Sequence, residues 1–135
     1  MPRWAMTAPS SSGGRASSEK GTSKFAPASA GRKGESAEEN TSALLAALSH
    51  PLVDIIVHPD NPSFPVDMER IVDAAVKEGK ALEVNNSSFV YTRSGSEENC
   101  RLMARLLREK GGQTAVGSDA HVATFAGEFS HAVEI

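Results

Sequence analysis

Three polar clusters in this 135-residue chain carry side chains able to do chemistry. His58 follows the apolar run Leu52-Val53-Asp54-Ile55-Ile56-Val57. Asn85 and Asn86 follow Ala81-Leu82-Glu83-Val84, and Ser118, Asp119 and His121 follow Thr114-Ala115-Val116-Gly117. The most specific is Asp119-Ala120-His121. An Asp-x-His triplet on a strand-to-loop turn brings a carboxylate oxygen and an imidazole within reach of one cation, a donor pair suited to zinc or manganese. The bland alternative is a capped turn. His58 alone reads first as a loop histidine before proline, and becomes a third candidate ligand by standing at the same edge as Asp119 and His121. Asn85 and Asn86 either orient substrate or ligands, or supply turn chemistry within Asn-Asn-Ser-Ser. Glu83 and Asp54 read as structural partners of buried donors. Cys100 falls on a helix core stripe, as an inert thiol rather than a nucleophile. The sequence contains no Gly-rich phosphate loop, nucleophile elbow or zincin helix.

Those clusters must be positioned by the elements around them. The run 52–57, nearly all apolar and β-branched, predicts a buried parallel strand, and 81–85 and 114–118 predict two more. A short helix over 41–49, capped by Asn40 or Thr41, precedes the first strand. A second helix is expected over 67–78, because Met68, Ile71, Val72, Ala75 and Val76 form one apolar stripe and Gly79 stops it. A third runs from about 96 to 110, capped by Ser94 with Glu97 or by Ser96, with Cys100, Met103, Leu106 and Leu107 on its stripe. Residues 127–135 begin a further helix. Strands about thirty residues apart and separated by helices are βαβ units with right-handed crossovers. All three polar clusters therefore fall at strand carboxyl ends, the edge where α/β proteins place their chemistry.

Composition bounds the function classes. A net charge of −3 gives no basic surplus to hold a polyanion, so nucleic-acid binding by bulk charge is disfavoured. One cysteine excludes an intrachain disulfide framework and suits a reducing compartment. No apolar run approaches a membrane span, and no secretory signal is recognisable, so a cytoplasmic protein is expected. The charge is unevenly spread. Residues 1–38 carry +3 and contain no Ile, Leu or Val, with Ser, Ala, Gly and Pro at 23 of 38 positions. This stretch reads as a disordered leader, leaving 39–135 as the foldable domain.

The motifs of that domain resemble a known family. Ile55-Ile56-Val57-His58-Pro59-Asp60-Asn61-Pro62, Ala81-Leu82-Glu83-Val84-Asn85-Asn86-Ser87-Ser88-Phe89 and Gly117-Ser118-Asp119-Ala120-His121 are similar to PHP-domain proteins (polymerase and histidinol phosphatase). Gly95-Ser96-Glu97-Glu98-Asn99-Cys100-Arg101 points to the bacterial YcdX-type phosphatase branch. The resemblance implies an α/β fold, a distorted β/α barrel that binds divalent metals, zinc foremost and manganese next, and hydrolyses small phosphate esters. His58, Asp119 and His121 match family metal ligands. Asn85 and Asn86 match a strand-end motif near the site. The family's first half brings a His-x-His pair, further histidines and a bridging Glu, whereas this sequence has only His50, His58, His121 and His131. His50 lies at the wrong end of the first strand to substitute. The expectation is therefore the C-terminal half of such a barrel, with about three parallel strands, behind an unrelated leader. A truncated or mis-started reading frame would account for it. Such a chain would be weakly active or inactive alone, a remnant binding at most one ion, or a partner of a chain supplying the missing half.

Overall fold

A computed structural model describes residues 25–27, as backbone, together with 36–90 and 95–135. The reading of 1–38 as a leader lies largely outside these residues.

The first helix, α1 (Ala37–Leu48), begins earlier than the expected residue 41. Ser36 is its N-cap and forms a reciprocal capping box with Glu39, whose carboxylate accepts the Ser36 backbone N–H at 2.8 Å. Such a cap contributes about 1 kcal/mol. Asn40 and Thr41, expected as caps, are instead buried tethers. Asn40 Nδ2 donates to the Pro65 carbonyl at 3.1 Å, and Thr41 Oγ1 accepts the Asp67 N–H at 2.8 Å. They hold the loop that leads into α2 (Met68–Glu78), whose N-cap Asp67 accepts from Arg70 N. The α2 stripe Met68, Ile71, Val72 and Ala75 is buried as its spacing predicts. The third helix, α3 (Ser96–Lys110), buries Cys100, Met103 and Leu107. Its N-cap is Gly95, with no side-chain cap; Ser94 lies outside the described residues, and Ser96 is already the first helical residue. Gly79 and Gly111, at φ +65° and +70°, end α2 and α3 in the left-handed conformation that glycine adopts most cheaply.

Between the helices run the three expected strands: β2 (Ile55–Val57), β3 (Ala81–Asn85) and β4 (Gln113–Gly117). A further three-residue strand, β1 (Phe25–Pro27), lies beside β2. β2 is shorter than the expected 52–57 because residues 50–53 close a turn, with Val53 N–H donating to the His50 carbonyl at 3.1 Å. Asp54 thus precedes the strand and is exposed, rather than lying inside it; its carbonyl accepts the Ala81 N–H at 3.1 Å.

All neighbours are parallel, and the strand order is the chain order, β1-β2-β3-β4. Right-handed crossovers in a sheet that always steps the same way put every helix on one face. The packing of α1 on α2 and α2 on α3 agrees with this. The result is an open, singly wound sheet, an arc of a barrel rather than a doubly wound layer.

The core fills the helix side. Ile56, Leu82 and Val84 of the strands meet Leu44 and Leu48 of α1, Ile71 and Val72 of α2, and Met103 and Leu107 of α3. Residues of the opposite parity, Glu83 and Asn85, face away from the helices.

The helix expected over 127–135 is absent. Residues 123–125 form one 3-10 turn and the chain then proceeds through turns. The side chain of Asn86 is the reason: its Oδ1 accepts the backbone N–H groups of both His131 and Ala132, each at 3.0 Å. Gly127, at φ +82°, breaks any helical start. Among the described residues no helix is long and apolar enough to cross a membrane.

Candidate functional site

The carboxyl edge of the sheet gathers the residues singled out above. His58 is the residue after β2, Asn85 ends β3, and Asp119 follows β4 by two positions. His58 and Asp119 have φ of +58° and +49°, the only two non-glycine residues with positive φ among the described residues. Left-handed backbone is uncommon outside glycine, and it clusters where a site needs a side chain aimed against the preference of its backbone.

Around His58 the contacts are specific. Its Nδ1 lies 3.0 Å from Glu83 Oε2, and its backbone N–H donates to the same oxygen at 3.1 Å. Asn85 Nδ2 donates to Glu83 Oε1 at 3.2 Å. The His58 and Glu83 side chains are 26% and 12% exposed. Burial pushes the Glu83 carboxyl up, but the hydrogen bonds and charge of His58, with a hydrogen bond from Asn85, together hold it below its ordinary value. Glu83 is thus a structural partner of a half-buried donor, as its strand position suggests. Gly117 on β4 leaves it room, because a Cβ there would run into Glu83 Oε1.

At the end of β4, Asp119 Oδ1 stands 3.7 Å from His121 Nε2; the Asp119 side chain is 25% exposed and that of His121 86%. The donors therefore come as two pairs, His58 with Glu83 and Asp119 with His121. Among the described residues no three His, Cys, Asp or Glu side chains are grouped so as to hold one ion.

The two asparagines do different work, Asn85 in a local turn and Asn86 as a long-range anchor. Asn85 Oδ1 accepts the Ser87 N–H at 2.8 Å and opens the 3-10 turn 86–88, while Asn86 anchors 131–132 as described. Ser87 Oγ donates to the Ser118 carbonyl at 3.2 Å, tying that turn to the loop that carries Asp119. Behind the edge, Ser88 Oγ donates to the fully buried Asp60, and Asn99 Nδ2 donates to the Asp60 carbonyl at 3.0 Å. These contacts pin the loops after β2 and β3 to α3. Sequence reading assigned no role to Asp60; its place in the His-Pro-Asp-Asn-Pro turn was the available signal.

Cys100 packs beside Asp60. Burial, followed by the charge of Asp60, pushes its thiol up to about 12, so it is inert as a core residue should be. Two clefts, of about 410 and 600 Å³, lie elsewhere. One is beside Pro62, Phe64 and Leu106, the other beside Arg105, Val116 and Val133, and neither is lined by His58, Glu83, Asp119 or His121.

Fold and edge together define a class: a singly wound α/β unit with imidazole and carboxylate groups at its strand carboxyl ends. No family model matches the chain. Its relatives are specific nonetheless. It is 51% identical over 98 residues, 73% of this chain, to a probable phosphatase of Thermoanaerobacter sp. (strain X514), and 50% identical over 99 residues to one of Shewanella piezotolerans (strain WP3 / JCM 13877). Over 96 residues it is 48% identical to the probable phosphatase YcdX of Escherichia coli O127:H6 (strain E2348/69 / EPEC). The chain spans 39–40% of the length of these relatives. It is a homologue of part of the YcdX-type probable phosphatases, the branch to which its motifs point.

Proposed function

We propose that this chain is part of a cytoplasmic, metal-dependent phosphoesterase of the PHP type, with His58, Asp119 and His121 contributing to a site for zinc or, second, manganese. The observation that carries the reading is the left-handed backbone at both His58 and Asp119, on the strand edge that holds His121 as well. Two imidazoles and a carboxylate fit zinc or manganese in donor type. In number they fit as contributors to a larger set, since they stand in separate pairs rather than as three around one point. A bound ion would acidify a water and offset charge on a phosphate. The chain's own residues hold the donors in place: Glu83 and Asn85 fix the edge at His58, and Ser87 fixes the loop at Asp119. Small phosphate monoesters are the expected substrates.

Hydrolysis of an aryl phosphate by the purified chain with added Zn²⁺ or Mn²⁺ tests this reading. The expected turnover is close to background, because a held ion alone does not place the phosphate in line. Robust turnover abolished by removing His58 would mean that the site is complete. Turnover surviving loss of His58 would exclude it from the chemistry.

A second reading, a non-catalytic unit that associates with a chain supplying the rest of a barrel, is favoured by a separate observation. Val116, Val122, Phe125, Phe129 and Val133 are exposed on or after β4, the last strand in the sheet order. Apolar groups gathered at a sheet end mark association or aggregation surfaces. Light scattering should find oligomers or aggregates of the isolated chain; a cooperative, soluble monomer would count against this second reading.

A further inference from the structure

The proposed metal site leaves open which nitrogen of His58 would bind, and the contacts of Glu83 answer it. An ionised carboxylate can only accept hydrogen bonds. With Glu83 Oε2 at 3.0 Å, His58 Nδ1 must therefore carry the hydrogen between them. Asn85 Nδ2 is also 3.4 Å from Nδ1, but two donors cannot bond each other. The shorter, charged contact decides, and Asn85 is satisfied by Glu83 Oε1 instead. Among the described residues Glu83 accepts three N–H groups, two from His58 and one from Asn85, with Gly117 leaving the space beside it. One carboxylate thus grips both the backbone and the ring of a residue whose φ is +58°.

We propose that Glu83 is a positioning residue that keeps the hydrogen of His58 on Nδ1 and so presents Nε2, with its lone pair, as the nitrogen that takes a divalent ion. This rests on the metal reading above. The nitrogen of a histidine that binds metal is set by the hydrogen bond the other one makes, and loss of the orienting carboxylate typically costs 10–100-fold in metal affinity.

The test is a two-bond ¹H–¹⁵N correlation spectrum of the full chain labelled with ¹⁵N-histidine at pH 8, with and without zinc. His58→Asn assigns the ring among the four histidines. The expected wild-type ring has hydrogen on Nδ1 only, and zinc moves its Nε2 signal. Glu83→Gln should shift the ring towards the Nε2–H form and weaken zinc binding about 10–100-fold. A wild-type ring with hydrogen on Nε2 overturns the proposal, as does unchanged zinc affinity in Glu83→Gln. If zinc moves no ring signal, the metal role of Glu83 falls with the reading it rests on, while the metal-free spectrum still decides the tautomer. Should Glu83→Gln fail to fold, the wild-type spectra decide alone.

Discussion

Gly117→Ala is expected to destabilise the chain by about 1–3 kcal/mol, the usual cost of overfilling a packed site. Taken by itself, Gly to Ala stabilises by about 0.4–1 kcal/mol, since alanine has less backbone entropy to lose. Here the new Cβ meets Glu83 Oε1. The tip of a glutamate ordinarily swings aside at little cost. This one accepts from His58 at 3.0 and 3.1 Å and from Asn85 at 3.2 Å, so moving it strips partners from groups that are partly or fully buried. The steric term should therefore win over the entropic gain. Chemical denaturation of both proteins gives the answer, and equal or higher stability in Gly117→Ala would mean that Glu83 is not held as described.

The second large effect concerns the proposed ligands. His58→Asn and Asp119→Asn should each weaken zinc binding by at least about 10–100-fold, the loss typical of removing a group that only supports a metal ligand. Asparagine is the informative replacement at both positions, because it is among the residues that tolerate left-handed backbone. With φ of +58° and +49° preserved, the substitutions remove an imidazole in one case and a negative charge in the other without adding strain. A neutral amide gives a cation much less electrostatic stabilisation than a carboxylate. His121 is 86% exposed and contacts Asp119 at 3.7 Å, so its ring is free to turn towards an ion, and His121→Ala should act in the same direction.

Much of this was legible in the sequence, for reasons that differ by element. α2 and α3 follow from apolar stripes closed by Gly79 and Gly111, and β3 from its bounding turns, because local signals dominate there. The start of α1 is hidden in the sequence because Ser36 and Glu39 sit at the end of a Ser-rich stretch that conceals a capping box. The helix expected over 127–135 does not form because Asn86, some 45 residues earlier in the chain, takes two of its backbone N–H groups, a contact that no local pattern encodes. The edge itself was readable: clusters after three parallel strands must share one end of a sheet. That Glu83 reaches His58 was not, since it depends on the β2–β3 register and on the gap at Gly117. Alternation along β3 places Glu83 with Asn85 but says nothing of the neighbouring strand.

His58, Asp119 and His121 are proposed to share in holding a divalent ion. Isothermal titration of the unaltered chain with zinc, beside Asp119→Asn, tests it most directly. The expected result is weak binding of one ion to the unaltered chain and binding at least about 10-fold weaker in Asp119→Asn. No binding to the unaltered chain, or the same affinity in both proteins, would contradict it.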